Sequence, residues 1–318
     1  MKKNIFILAA ALYIASAAVY AGSMTIESDK QEFKDGEKKI FLEGNVKVKT
    51  EDADITSPRA VIEIDPKTNK VKNAEFKEKA YSWSLKDGKK HEVKAQILNV
   101  SLLNKHVSAQ GNSIVSIMDK DKPVVIVTAD KQEYHKNSSM MQASGSVNIV
   151  YKDVTTYSNE AVVYLDENND VKKIILTGNS KLERDKNKIN ADKLVYDNIK
   201  EDAEAFGNVY SDITTDDDKR LEVWSNYQTY DKKRNFVSAS GYTRIKYEDY
   251  NASGPKVNVY SSKDTGELNE AVFIGRSKIE TNGRTVEADR ITITMNPKDF
   301  KAEGSVKSTI PNISGGEL

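Results

Sequence analysis

The side chains that could carry catalysis or bind a metal are scarce in this chain of 318 residues. It contains no cysteine, which excludes disulfides, thiolate metal sites and cysteine nucleophiles. The three histidines, His91, His106 and His135, lie far apart in sequence and fit no metal-binding spacing, so we expect each at the surface. The sequence has neither a phosphate-binding glycine loop nor a nucleophile elbow. We therefore predict no catalytic residue, no metal site and no cofactor.

One acidic segment has the start of a calcium-binding loop. Asp166, Asn168 and Asp170 follow the alternating spacing of such a loop. Val171 stands where the loop requires glycine, and Thr177 stands where it requires glutamate. The segment is therefore interpreted as a hairpin turn.

Charge and composition exclude one class of partner and describe the core. The chain has 48 Lys and Arg against 48 Asp and Glu, and therefore no net charge. A nucleic-acid binder gains affinity by neutralising phosphates, so this balance argues against nucleic acid as a partner. Hydrophobic residues make up 38% of the chain, below the share usual in globular domains. The low share predicts a thin core, or a narrow one that extends over a long object.

The N-terminus has the pattern of a secretory signal peptide. Lys2 and Lys3 precede an apolar run that ends in small residues at Ala21. We predict a signal peptide over residues 1–21, cleavage before Gly22, and export to the periplasm of a Gram-negative type cell envelope. The alternative is that the run stays in place as a membrane anchor, although it is at the short limit for a span.

A repeat runs through the rest of the chain. Its marker is a glycine inside an alternating pattern, and the marker glycines are Gly44, Gly111, Gly145, Gly178, Gly207, Gly241, Gly275 and Gly304. A degenerate copy with Glu78 in the glycine place fills the long gap between Gly44 and Gly111, which gives nine copies. A glycine inside a strand marks a bend or a close backbone approach, so we expect each strand to kink there.

The residues around each glycine alternate between apolar and polar, which predicts a strand with one dry face and one wet face. A second repeated segment begins with Ala or Ser followed by Asp or Asn, as at Ala191-Asp192, and carries apolar residues three, five and seven positions later. The change of parity inside this segment predicts a bulge or corner. Together the two segments predict an all-β, elongated antiparallel solenoid of about nine two-strand repeats.

These segments resemble the repeats of the LptA/OstA-like family. The clearest pair is Ala191-Asp192-Lys193-Leu194-Val195-Tyr196 followed by Ala205-Phe206-Gly207-Asn208-Val209. A second pair is Ala129-Asp130-Lys131-Gln132-Glu133-Tyr134 followed by Ala143-Ser144-Gly145-Ser146-Val147. The resemblance extends over about residues 26–309.

The resemblance implies a fold and a role. The family has a twisted antiparallel β-jellyroll, or "β-taco", and its members are periplasmic bridge proteins of lipopolysaccharide transport without catalytic residues. They shield lipid A acyl chains in an apolar groove between an inner-membrane extractor and an outer-membrane translocon, which are therefore the implied partners. Two alternatives stay open: an inner-membrane-anchored member of the same pathway, or an exported β-solenoid that binds or processes polysaccharide.

The apolar residues of the dry face are the candidates for lining such a groove, although an apolar strand face is more often plain core. The candidates are Leu42, Val46, Val48, Phe76, Val115, Met141, Val147, Ile149, Leu176, Leu182, Val209, Ile245, Phe273, Ile279, Phe300 and Val306.

The expected domain organisation is simple. We expect one OstA-like domain over residues 22–310 and a flexible tail over residues 311–318. The first strand, at about residues 24–33, and the last, at about residues 300–310, are the expected edges of the stack. Unpaired edge groups can accept a strand from a partner, and complementary ends would allow head-to-tail self-association.

Overall fold

The structure is a computed structural model that describes residues 24–311, apart from 52, 87, 152, 167–170, 215–217, 263–267 and 296–297. The expected signal peptide over residues 1–21 and nearly all of the expected tail lie outside the described residues. No helix in the described part of the chain has the length and hydropathy that crossing a bilayer requires.

Strands make up most of the described chain. Their bounds are β1 Thr25–Glu27, β2 Lys30–Lys34, β3 Lys39–Lys49, β4 Asp54–Ile64, β5 Val71–Lys86, β6 Lys89–Ser101, β7 His106–Asp119, β8 Lys122–His135, β9 Met140–Tyr151, β10 Val154–Leu165, β11 Val171–Arg184, β12 Asn187–Asp197, β13 Asp202–Thr214, β14 Arg220–Asp231, β15 Phe236–Tyr247, β16 Tyr250–Ser261, β17 Leu268–Thr281, β18 Arg284–Met295, β19 Lys298–Glu303 and β20 Lys307–Thr309. Single 3-10 turns occupy Asp35–Glu37 and Lys136–Ser138. The all-β prediction is therefore confirmed.

The chain divides into two compact units, which we call the N-terminal unit (Met1–Thr177) and the C-terminal unit (Gly178–Leu318). In the N-terminal unit, β2 to β10 pair one after another, each antiparallel to the next. In the C-terminal unit, β12 to β19 do the same. Repeating antiparallel pairs of long strands are the predicted fold class.

The strands that contain a marker glycine bend at it, and the first repeat shows why. Gly44 and Asn45 both have positive φ, 72° and 46°, and the β3–β4 register shifts between Glu43 and Val46. A Cβ built on Gly44 would lie 2.2 Å from Oδ2 of Asp29, so no larger residue fits without movement. The Asp29 carboxylate accepts a hydrogen bond from the Asn45 amide at 3.0 Å, and the Asp29 backbone N–H donates to the Gly44 carbonyl at 2.9 Å.

The same geometry recurs in the C-terminal unit. Gly207 has a φ of 71°, and its absent Cβ would lie 2.2 Å from Oδ2 of Asp192. That carboxylate accepts a hydrogen bond from the Asn208 amide at 2.9 Å. In the degenerate copy, Glu78 and Lys79 both adopt positive φ, 64° and 68°, as the glycine assignment of Glu78 predicts. The Asp of one repeated segment and the Gly of the other therefore meet at the same bend.

The bend also splits the strands at both ends of the array, which explains twenty strands where about eighteen are predicted. Both β1 and β2 pair with β3, and they are separated at Ser28 and Asp29. Both β19 and β20 pair with β18, and they are separated at Gly304, Ser305 and Val306. Each of these four short strands has one partner among the described strands, so the expected edges are the edges observed.

Candidate functional site

On the side of the bend that precedes the glycine, the dry face of the N-terminal unit is closed from β4 onward, whereas at its first strands Phe33 is exposed and Ile40 is half-buried. One row across it contains Ile62, Val100, Val107 and Tyr134, where Val107 lies directly opposite both Val100 and Tyr134. Each of these side chains is at most 2% exposed. Met141, the next residue in the row, is also buried. This row is therefore packed core.

The corresponding row of the C-terminal unit is open. Tyr230 pairs with Val237, Val237 pairs with Val259, and the row ends with Ile293 opposite Phe300. Tyr230 and Phe300 are 40% and 42% exposed, and Val237, Val259 and Ile293 are half-buried. At equivalent repeat positions, Val237 of the C-terminal unit is thus half-buried where Val107 of the N-terminal unit is buried.

The side of the bend that follows the glycine shows the same contrast. In the N-terminal unit, Val93 lies opposite Val115, and both are buried. In the C-terminal unit, Val223 lies opposite Ile245, and both are half-buried, as is Val286. The C-terminal unit therefore exposes apolar side chains on both sides of its bend.

The C-terminal unit has a buried floor that includes members of the two rows themselves, because Ala271 lies between Val259 and Ile293, and Ala252 and Ile279 follow Ile245. The residues that are buried together there are Ala239, Ala252, Val257, Ala271, Phe273, Ile279, Ala288 and Ile291. Half-buried side chains from both sides of the bend pack against them, among them Val223, Ile245, Val259 and Ile293. We call this arrangement of buried floor and half-buried rims the trough.

The sixteen groove candidates lie at three levels of burial. Twelve are buried: Leu42, Val46, Val48, Phe76, Val115, Met141, Val147, Ile149, Leu176, Val209, Phe273 and Ile279. Two, Leu182 and Ile245, are half-buried. Phe300 and Val306 are exposed. Phe273, Ile279 and Ile245 come together in the trough, and whether any of the sixteen touches lipid stays a prediction.

Sequence reasoning missed two glutamines on the dry face. Gln132 is 1% exposed, and its amide donates to the backbone carbonyls of Ser113 and Val127 at 3.1 and 3.2 Å. Gln228 accepts a hydrogen bond from the Ser211 hydroxyl at 2.6 Å. Both glutamines stand three residues after the Ser or Ala that opens the second repeated segment, and this common offset is the signal that could have identified them.

A wide cavity of about 1160 Å³ lies at the bends of the C-terminal unit, on the polar face. A row of directly paired residues crosses it from Trp224 through Arg244, Ser253 and Lys278 to Glu287. The Arg244 guanidinium lies over the Trp224 ring, 5.6 Å from its centre. The alternation of side chains in a strand places this row on the opposite face from the trough.

Cross-strand tyrosine–carboxylate pairs occur in both units. Tyr227 donates to Glu204 at 2.5 Å, and its burial, together with this bond, raises its pKa to about 12. Tyr81 donates to Glu92 at 2.6 Å, and it also accepts a hydrogen bond from the Lys90 ammonium. Burial is the largest cause of its raised pKa, the bond to Glu92 adds to the rise, and the Lys90 bond opposes it.

The histidines depart from the prediction that each lies alone at the surface. His91 is buried in β6, so the surface assignment is wrong for it. His106 opens β7 and lies directly opposite His135, which closes β8, and the two rings stack with centroids 4.5 Å apart. Glu133 Oε1 lies 3.1 Å from His106 Nε2. Residues distant in sequence meet here because the β7–β8 hairpin aligns its two ends.

Fold and surface together define the class: a β-repeat protein whose paired strands carry an apolar face in each unit, largely buried in the N-terminal unit and partly open in the C-terminal unit. Residues 25–125 and 166–299 match the family of "LptA/(LptD N-terminal domain) LPS transport protein". The match covers more than half of the chain. The protein therefore belongs to this family of lipopolysaccharide transport proteins.

Two further comparisons complete the picture. No curated protein matches the chain. Among solved structures, the chain is similar to LptH, described as the LptA homologous periplasmic component of the conserved lipopolysaccharide transport device from Pseudomonas aeruginosa. The identity is 12% and the TM-score is 0.35, and the alignment covers 41% of this chain and 95% of that one.

Proposed function

We propose that this protein is a periplasmic carrier that covers the acyl chains of lipopolysaccharide during their passage from the inner to the outer membrane, and that the trough makes the contact. The observation that carries the proposal is the half-open rim of the C-terminal unit. A lipid can use only apolar surface that it can reach. The rim residues Val237, Val259 and Ile245 are reachable, whereas Val107 and Val115 of the N-terminal unit are buried.

The energetics favour such a surface for a lipid in water. Each CH₂ group that leaves water contributes about 0.8 kcal/mol, so covering ten of them contributes about 8 kcal/mol. The apolar residues that form the trough are Val, Ile, Phe and Ala, together with Tyr250. A uniform apolar lining offers no single tight site, and a cargo can therefore slide along it.

Photocrosslinking in cells that make lipopolysaccharide tests the proposal. The photoreactive residue p-benzoylphenylalanine is placed at Val237, Val259 or Ile245, where half-open surface leaves room for it. Lys246, the exposed neighbour of Ile245 on the opposite face, is the matched control. We expect lipopolysaccharide adducts at the three rim positions and none at Lys246. Folded variants that give no adduct at any rim position would refute the carrier function.

The strand edges are the proposed contacts with protein partners. β2 and β19 each leave one side unpaired among the described strands, and a strand of the extractor, the translocon or a second copy could extend either edge. The absence of cysteine makes a clean test available. Lys30→Cys and Lys301→Cys, both at exposed edge positions, are mixed under oxidation, with Lys246→Cys as the control. A disulfide-linked dimer of the two edge variants supports head-to-tail association; its absence leaves the edges to other proteins of the pathway.

A further inference from the structure

The cluster of His106, Glu133 and His135 is independent of the trough and of the transport role. All three side chains project from one face of the β7–β8 hairpin, since Glu133 and His135 are two residues apart and His106 is directly opposite His135. Their potential ligand atoms lie within 4.8 Å of one another. From this juxtaposition we propose that the hairpin holds a divalent transition-metal site, with Zn²⁺ as its ligand.

The donor set fits that ion. Zn²⁺ binds imidazole nitrogen at about 2.0–2.1 Å and carboxylate oxygen at about 2.0–2.2 Å, commonly with three protein ligands and one water. Tetrahedral ligands at these bond lengths lie about 3.4 Å apart. His106 Nε2 and Glu133 Oε1 already lie 3.1 Å apart. Binding would require the His135 ring to turn out of its stack with His106, so that the lone pairs of both rings point at the same ion.

The surroundings hold the three ligands in place without blocking them. The Lys131 ammonium lies 2.9 Å from Glu133 Oε2, which leaves Oε1 directed at His106. The turns beside the two histidines are joined by the backbone N–H of Lys136, which donates to the carbonyl of Lys105 at 3.0 Å. His106 and Glu133 are 25% and 22% exposed, so the cluster is anchored and still open to an ion from solution.

A metal ion binds the neutral form of the imidazole. In the neutral ring one nitrogen carries the proton and the other can bind. An ion at Nε2 therefore replaces the hydrogen bond to Glu133 and leaves the proton on Nδ1.

Hard cations are a poorer fit. Ca²⁺ and Mg²⁺ take oxygen ligands, and Ca²⁺ takes six to eight of them. The cluster has one carboxylate and two imidazoles, and imidazole suits Zn²⁺, Cu²⁺ and Ni²⁺. The ion would join the start of β7 to the end of β8 as a cross-strand clip, so its binding should stabilise the N-terminal unit against unfolding.

Calorimetric titration of the untagged full-length secreted chain with ZnCl₂ tests the site. We expect one Zn²⁺ per chain and an affinity that falls about 100-fold or more in His106→Asn and in His135→Asn. Glu133→Gln should weaken binding less, because two imidazoles remain. The matched controls are His91→Gln, which removes the one histidine outside the cluster, and Glu32→Gln, which removes an exposed carboxylate elsewhere; both should bind as the parent does.

A second measurement keeps the test independent of variant folding. Electron paramagnetic resonance of the parent chain loaded with one equivalent of Cu²⁺ counts the coordinated nitrogens, and we expect two from imidazole. Absence of saturable Zn²⁺ binding, a single coordinated imidazole, or unchanged binding in folded His106→Asn would each overturn the site. None of these results bears on the photocrosslinking test of the trough, so the two proposals fail separately.

Discussion

The two units share one repeat and one bend but differ in what they do with the dry face. In the N-terminal unit, Val107 and its cross-strand neighbours are buried. In the C-terminal unit, Val237, four residues before its glycine as Val107 is before its own, is half-buried. The same local pattern thus produces a closed core in one place and an open apolar surface in another. The local sequence determines which face of a strand is apolar, whereas the burial of that face depends on the residues that cover it.

The largest expected difference between the units comes from deleting an aromatic ring. Phe76→Ala removes a side chain that is 1% exposed in the N-terminal unit and should lower the free energy of unfolding by about 3–5 kcal/mol. Phe300→Ala removes one that is 42% exposed in the C-terminal unit and should lower it by less than about 1 kcal/mol. Urea denaturation of both variants measures the difference. Equal losses would mean that the Phe300 side chain is covered in solution.

A matched pair of valines gives a smaller but cleaner contrast. Val107→Ala should destabilise the chain by about 2 kcal/mol, because it leaves a cavity in a packed row. Val237→Ala removes the same two methyl groups from a half-open row and should destabilise it by about 1 kcal/mol or less. The two variants change the same residue type at the same repeat position. The difference between their denaturation midpoints therefore reports only how far each valine is buried. A larger loss of stability in Val237→Ala than in Val107→Ala would mean that Val237 lies in packed core and that Val107 does not.

The bends provide a test in which the two units should agree. Gly145→Ala and Gly207→Ala each place a Cβ at a φ of 78° or 71°, which costs about 1–2 kcal/mol for a left-handed residue. Each Cβ also meets Oδ2 of the facing aspartate, Asp130 or Asp192, at 2.2 Å. Asp192→Ala in the Gly207→Ala background should recover part of the loss by removing that contact. Unequal losses at Gly145 and Gly207 would show that the units differ at the backbone, beyond their side chains.

A further expected effect concerns alkaline pH. The Tyr227 pKa of about 12 exceeds its ordinary value of 10, so the folded state keeps this proton longer than the unfolded state. The stabilisation is complete below about pH 10 and is lost as the pH rises from about 10 to about 12. Tyr227→Phe should flatten this decline when unfolding is measured across that range. In the N-terminal unit, Tyr81→Phe should change it less, because the Lys90 ammonium opposes the upward shift. A steeper decline in Tyr227→Phe would contradict the assignment.

Much of the fold could be predicted from residue types and their spacing. The glycine and aspartate periods predict the bends, since each glycine needs positive φ and each aspartate fills the space beside it, as at Gly44 and Asp29. Alternation predicts which residues share a face. Even Glu78, without the chemistry of glycine, is identified by its place in the period and adopts positive φ.

Closure and clustering could not be predicted in the same way. Alternation says that Val107 and Val237 face the same side of their strands, but nothing local says how much covers each one. The histidine cluster could not be predicted because its members pair across a hairpin of about thirty residues, which is longer than the spacing of any ligand motif. Both failures concern contacts between strands, which the periodicity within a strand does not contain.

Pairing between sequence neighbours also has a kinetic consequence. Each described pairing joins a strand to the next one along the chain, or to the next but one where a bend has split an edge strand. Loop closure is therefore short at every step, although the chain is long and rich in β-structure. Folding can begin at any hairpin and advance one strand at a time, with each completed hairpin serving as the template for the next. Such a chain needs no distant segment before its first part becomes stable, so its folding rate should follow the repeat and not the total length.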